Sequence, residues 1–205
     1  MRARRWWLLP GVLLLLALPA GAGAASDTWV TPFRGYLGVG WSGLQQNAAP
    51  SGSIAMAAGI DYPVTATLRA GVEFGYDLLG TRTVENGSLV ADLDYAALEV
   101  LALLHWQPSW RGPVGRLSVG PGLVAARVAQ SSSGAAAFEQ FTVDEVAPAL
   151  AGSVTLISRH PRPVRVGFEA GTRVAFFSNP ASVIPAEGAS FDGWFLLNAR
   201  LVIHY

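Results

Sequence analysis

The sequence contains no cysteine and no lysine. Without cysteine there is no disulfide framework, thiolate metal site, cysteine nucleophile or lipid-modified N-terminal cysteine. Without lysine, arginine carries all the strongly basic charge, and with abundant Ala, Gly and Pro this marks a GC-rich genome rather than a function. Charge of either sign is scarce, at 14% of residues against 51% apolar. That is too apolar for disorder and high for a soluble domain. A formal net charge of zero gives no footprint for nucleic acid. Beyond residue 25 no apolar run approaches the roughly 20 residues of a spanning helix. From Thr31 to Tyr205 no convincing amphipathic helix is present either. At 205 residues the chain holds one domain, or one with a short appendage.

What is present begins with an export signal. Arg2, Arg4 and Arg5 form a basic stretch, Leu8 to Leu18 an apolar core, and Ala22-Gly23-Ala24 a small-residue cleavage site. The alternative, an uncleaved anchor, is disfavoured by the shortness of that core. The expected division is a signal peptide at 1–24, cleaved after Ala24, and one domain at 25–205. Cleavage removes three arginines and no acid, leaving 11 Arg against 14 Asp plus Glu.

The rest of the chain alternates with a period of two. From Val64 to Leu78 the even positions are apolar, while the odd ones read Thr65, Thr67, Arg69, Gly71, Glu73, Gly75 and Asp77. Successive strand side chains point to opposite faces, so such a segment has one oily side and one small-or-charged side. Val164 to Phe176 repeats the pattern, with Arg165, Gly167, Glu169, Gly171 and Arg173 on the polar face. Near the start, Ile54, Met56, Ala58, Ile60 and Tyr62 form one apolar file. In the last segment Phe195, Leu197, Ala199, Leu201, Ile203 and Tyr205 oppose Asn198, Arg200 and His204. Less regular segments at 35–44, 89–107, 113–128 and 141–158 bring the expected strands to eight.

Connections alternate too. Those at 61–65, 107–113 and 159–163 are short and carry proline. Those at 45–52, 80–88, 129–140 and 179–193 read as longer loops. An even strand number with short turns at one end and longer loops at the other is expected of an outer-membrane barrel, short turns facing the periplasm. A soluble barrel also alternates, but its outer face should carry plentiful charge. Here one face is almost purely apolar, as lipid requires, since Arg near the bilayer midplane costs roughly 2–4 kcal/mol. The expected fold is therefore all-β: an eight-stranded antiparallel up-and-down transmembrane β-barrel, preceded by a cleaved signal peptide.

The export signal, the alternating strands and the ending Phe195 to Tyr205 together resemble the small outer-membrane β-barrel superfamily of the OmpA transmembrane domain, OmpX and OmpW type. The resemblance spans about residues 33–205 and is specific for architecture rather than subfamily. It implies location in the cell outer membrane, contact with outer-membrane lipid and lipopolysaccharide, and a monomeric state. It also implies recognition by the barrel-assembly machinery through Phe195, Leu197, Leu201, Ile203 and Tyr205. No peptidoglycan-binding domain of the OmpA type is expected after the last strand. Aromatic girdles are expected from Tyr62, Trp106, Trp110 and Tyr205 at one rim, and from Trp41, Tyr76, Phe176, Phe177, Trp194 and Phe195 at the other.

The lumen holds the candidate chemistry. Counting up from the short turns places Arg69, Glu73, Glu99, Glu169, Arg173 and Arg200 near one middle layer. Arg116, Arg165, His105 and His204 fall lower, Asp77 and Glu145 higher. Glu169 and Arg200 can pair directly, whereas neighbouring Glu73 and Glu99 need Arg69 between them or a proton on one. The expectation is a salt-bridged plug, giving a structural or surface-interaction role, with a narrow pore or a transporter for small solutes or hydrophobic compounds as the alternative. A conduit for hydrophobic compounds needs an apolar mouth, and Asp77, Asp92, Asp94, Asp144 and Glu145 read as too acidic for one. A lipid A-modifying enzyme needs a histidine beside a serine. His105, His160 and His204 all fall at the short-turn end, with no serine in a fitting motif. No catalytic residue, cofactor or metal site is expected. Among the outer loops, 179–193 is the longest, with Val183, Ile184 and Phe191 as a possible lid or patch.

Overall fold

The computed structural model describes residues 33–45, 52–86, 89–108, 114–133, 142–158, 164–178 and 193–205. The expected signal segment, with Ala22 and Ala24, lies outside them, as do His160 and nearly all of the 179–193 loop. The strands are β1 Arg34–Leu44, β2 Ser53–Pro63, β3 Leu68–Asn86, β4 Leu89–Trp106, β5 Val114–Ser133, β6 Thr142–Ile157, β7 Arg165–Phe176 and β8 Gly193–His204. Each pairs antiparallel with the next, and β8 returns to β1, so the sheet closes into a barrel. Closure removes every free edge, the requirement for a sheet in lipid.

The alternation read from the sequence sets which way each side chain faces. Val39, Ile54, Ile60, Phe74, Leu98, Leu104, Leu123, Leu150, Val154, Phe168, Leu201 and other apolar residues are exposed on the outer wall. Water would not tolerate so continuous an apolar surface, whereas lipid requires it. The inner face buries Asp61, Arg69, Glu73, Asp77, Glu99, Arg116, Glu169, Arg173 and Arg200.

Three boundaries differ from expectation. Residues 64–67 form a turn rather than the start of β3. There Thr65 Oγ1 accepts hydrogen bonds from the Thr67 and Leu68 amides, and Val64 and Thr65 N–H groups donate to the Leu68 carbonyl. The stretch 80–88 is not a long loop. Asn86 pairs with Leu89, so only two residues separate β3 from β4. Strand β5 likewise runs to Ser133, into the expected 129–140 loop. Strands β1, β2, β7 and β8 are 11–12 residues long, near the roughly 9–11 that cross a bilayer, whereas β3 to β6 have 16–20. One side of the wall therefore stands well above the other at the end opposite the short turns.

Within that raised wall, a bulge at Leu79–Gly80 places both residues against Tyr95, with Gly80 at φ +95°. Side-chain parity inverts there. Below it the odd positions of β3 face inward, as buried Glu73, Asp77 and Leu79 show, whereas above it Thr81 and Thr83 are exposed.

Candidate functional site in the barrel interior

The lumen is filled in three layers, described upward from the short turns. The lowest centres on Asp61 of β2. Arg69 of β3 pairs with one of its carboxylate oxygens, and Arg116 Nη1 of β5 lies 3.2 Å from the other. The Arg116 guanidinium stacks 4.8 Å over the Tyr36 ring, and Tyr36 packs against His204 at 5.6 Å and His105 at 6.3 Å between centroids. Below them a cavity of about 140 Å³ opens towards the short-turn end.

The middle layer is an ion-pair network spanning the lumen. Arg173 of β7 donates from Nη2 to Glu73 Oε1 at 2.8 Å, and its Nε lies 2.5 Å from Glu99 Oε2 as a charge contact without hydrogen-bond alignment. Arg200 of β8 donates to the same Glu73 oxygen at 2.9 Å and also pairs with Glu169. Glu73 accepts a third group, the Tyr36 hydroxyl at 2.9 Å, and Thr155 donates to Glu169 at 3.1 Å. Tyr36 reaches Glu73 by crossing Gly59, its register partner on β2, where any Cβ would collide with the ring. Only about 10 Å³ of space remains beside this network, room for roughly one water molecule.

The upper layer is apolar. Above the Ser42–Asp77 hydrogen bond, Leu44, Leu79, Tyr95, Val124, Val128, Phe177, Trp194 and Leu196 pack into one buried cluster with inward alanines. Trp194 is at its centre, wholly buried, with its ring centroid 5.3 Å from Phe177 and 6.4 Å from Tyr95.

Five of the six expected middle-layer residues therefore meet: Glu73, Glu99, Glu169, Arg173 and Arg200. The charge between Glu73 and Glu99 comes from Arg173, across the lumen, and not from Arg69, which pairs with Asp61 one layer down. Asp61 was not singled out in the sequence, although its inward parity and its closeness to a turn placed it level with Arg69. Tyr36 could have been found the same way, as the bulky residue on the glycine-rich face of β1.

Three further expectations need correction. Trp194 and Phe177 are not rim aromatics, because the upper half of β8 is apolar on both faces and its Trp194–Leu196–Asn198 file points inward. Of the five acids expected at the upper mouth, Asp77 and Glu145 keep inward parity and the other three do not face the lumen. Asp92 and Asp94 lie on the outer face, bonded by Thr83 at 2.6 Å and by Thr81, and exposed Asp144 lies 3.7 Å from Arg127. A serine does lie beside a histidine: Ser118 Oγ is 2.8 Å from His105 Nδ1 on the adjacent strand. Both are buried inside the wall, so the pair has the atoms of a base and a nucleophile without substrate access. Among the described residues no three His, Asp or Glu side chains converge on a metal position.

In the segment expected to carry the assembly signal, Leu201, Ile203 and Tyr205 are exposed on the outer face, while Phe195 and Leu197 are half-buried there. No protein-family model matches the sequence, and comparison with curated proteins finds no match. Solved structures do match. Ail, the attachment invasion locus protein of Yersinia pestis, aligns with a TM-score of 0.52 at 11% identity, over 84% of this chain and 97% of its own. Its complex with the heparin analogue sucrose octasulfate gives 0.53 at the same identity and coverage. The fold is that of the small outer-membrane β-barrels. Neisserial surface protein A also aligns, with a TM-score of 0.48 at 10% identity, over 85% of this chain and 96% of that one. In a barrel of this class an outward apolar band faces lipid and the inward residues fill or line the lumen. Here they fill it.

Proposed function

We propose that this chain is a sealed outer-membrane barrel with a structural or surface-interaction role in the cell envelope, rather than a pore, transporter or enzyme. The observation that carries the reading is the stacking of the apolar cluster around Trp194 on the ion-pair network of Glu73, Glu99, Glu169, Arg173 and Arg200. A permeant ion would have to displace a packed indole and then break buried charge pairs, each costly in a low-dielectric interior. The buried position of Ser118 and His105 argues against lipid chemistry at that pair. The raised outer face of β3 to β6, with Thr81, Thr83, Asp92, Asp94 and Asp144, supports an exposed polar wall outside the bilayer.

The accompanying reading of biogenesis is that Met1 to Ala24 is removed on export. The barrel-assembly machinery then recognises Phe195, Leu197, Leu201, Ile203 and Tyr205, and the barrel sits as a monomer among outer-membrane lipid and lipopolysaccharide. The short turns face the periplasm. Two measurements test the proposal together. On gels the membrane-extracted protein should migrate anomalously until boiled, with a mass that begins at Ala25. In planar bilayers the same folded protein should give no stepwise current; sustained unitary currents that change on Glu169→Gln would defeat the sealed reading.

A further inference from the structure

The cavity at the short-turn end has a charge imbalance that neither the fold nor the seal requires. Its lining includes four arginines, Arg34, Arg69, Arg116 and Arg165, and one acidic side chain, Asp61, with His204 beside them. These groups come from five strands, β1, β2, β3, β5 and β7, and from β8 for the histidine, so closure of the barrel alone brings them together. Asp61 is engaged by both Arg69 and Arg116. Even counting a terminal carboxylate on Tyr205, which also lines the cavity, the anionic groups do not offset four guanidinium groups in a confined space, where like charges repel more strongly than in open water. Two lining residues also keep buried nitrogens without hydrogen-bond partners, Arg116 Nε and His204 Nε2.

We infer that this cavity is a binding site for a phosphate-type oxyanion. The planar guanidinium fork matches the geometry of tetrahedral oxyanions, and several forks converging on one volume complement a charge spread over three or four oxygens. At about 140 Å³ the space holds several waters' worth of volume, enough for a phosphate group but too small for a large organic anion. Because the barrel wall surrounds the cavity, the group enters from the aqueous phase at the short-turn end. That this phase is the periplasm rests on the orientation proposed above; binding itself does not. The phosphate group is taken either from a soluble ion or ester or from a lipid headgroup at the rim.

The test uses the full-length chain folded in a non-ionic, phosphate-free detergent, with folding checked by heat-modifiable migration. Inorganic phosphate is titrated calorimetrically at constant ionic strength, and vesicles with and without phosphatidylglycerol form a second arm. Arg34 and Arg165 are the right residues to change, because they lie at strand ends and leave the buried Arg69–Asp61–Arg116 contacts intact. Wild-type protein should bind phosphate saturably, and the Arg34→Gln/Arg165→Gln double variant should bind about tenfold more weakly or worse, as expected on losing two charge-assisted contacts. Arg82→Gln, which alters a residue bonded to Tyr95 at the opposite end, should bind as wild type does. Binding to phosphatidylglycerol vesicles alone, lost in the double variant, would support the site and assign it to a lipid headgroup. The inference is overturned if neither probe binds, or if Arg82→Gln weakens binding as much as the double variant does.

Discussion

At the scale of single residues, Arg200 illustrates how much of this interior was legible. Its inward parity and its depth beside Glu169 follow from strand alternation and from counting along β8, and the two are register partners. Its second partner, Glu73, lies across the lumen and could not be read that way, because strand counting gives height but not which long side chains meet over the axis. The same blindness offered Arg69, or a proton, to reconcile two glutamates that Arg173 in fact joins. The consequence for stability is testable. Arg200→Met removes the cation shared by Glu73 and Glu169 while leaving both carboxylates buried. Breaking one side of a buried ionic cluster costs about 3–5 kcal/mol. Urea unfolding of vesicle-inserted protein should show that loss. A change below about 1 kcal/mol, the size of an exposed pair, would mean that the network is hydrated rather than buried.

At the scale of elements, the strands were legible wherever lipid dictated the outer face and obscure where it did not. Between Leu68 and Leu78 the alternation is clean because outward residues such as Val72 and Phe74 are exposed on the apolar outer wall. Past Leu78 the bulge inverts parity and Thr81 and Thr83 occupy the outer face, so the ordered top of β3 reads as a polar loop. The Gly87-Ser88 pair between Asn86 and Leu89 was the overlooked cue, since a glycine leading a two-residue connection is a signal for a tight hairpin. Gly80 supports that geometry at φ +95°, a conformation that a β-branched residue adopts only with strain. Gly80→Val should lower stability by about 1–3 kcal/mol, and denaturant unfolding that leaves the midpoint unchanged would argue that the bulge is dispensable. The raised wall itself can be mapped by thiol labelling, since the chain has no native cysteine to interfere. A membrane-impermeant maleimide should react readily with Thr83→Cys in intact cells and poorly with Val100→Cys, which belongs to the apolar band. Equal reactivity at the two positions would remove the distinction between wall and band.

At the scale of the whole molecule, the proposed seal consists of two barriers in series with different physics. The upper one would exclude ions by packing, since Trp194, Phe177 and Leu196 are buried together in an apolar cluster. The middle one excludes them by charge pairing, since an ion must break a contact such as Arg173–Glu73 before it can pass. Sequence reasoning anticipated an inward network of Arg and Glu residues. It missed the apolar layer, because a segment apolar on both faces gives no alternation to show which residues point in. Barriers in series are not additive in effect, because either one alone stops current. Trp194→Ala combined with Phe177→Ala empties the upper layer but leaves the ion pairs, so this variant should remain electrically silent in planar bilayers. Adding Arg173→Ala removes the link between Glu73 and Glu99 and should let water and small cations through, the uncompensated carboxylates favouring cations over anions. Each variant must first show heat-modifiable migration, so that current is read only from folded barrels. Current through the Trp194/Phe177 variant alone would mean that the charged layer leaks. Silence in the folded triple variant would locate the seal elsewhere in the lumen.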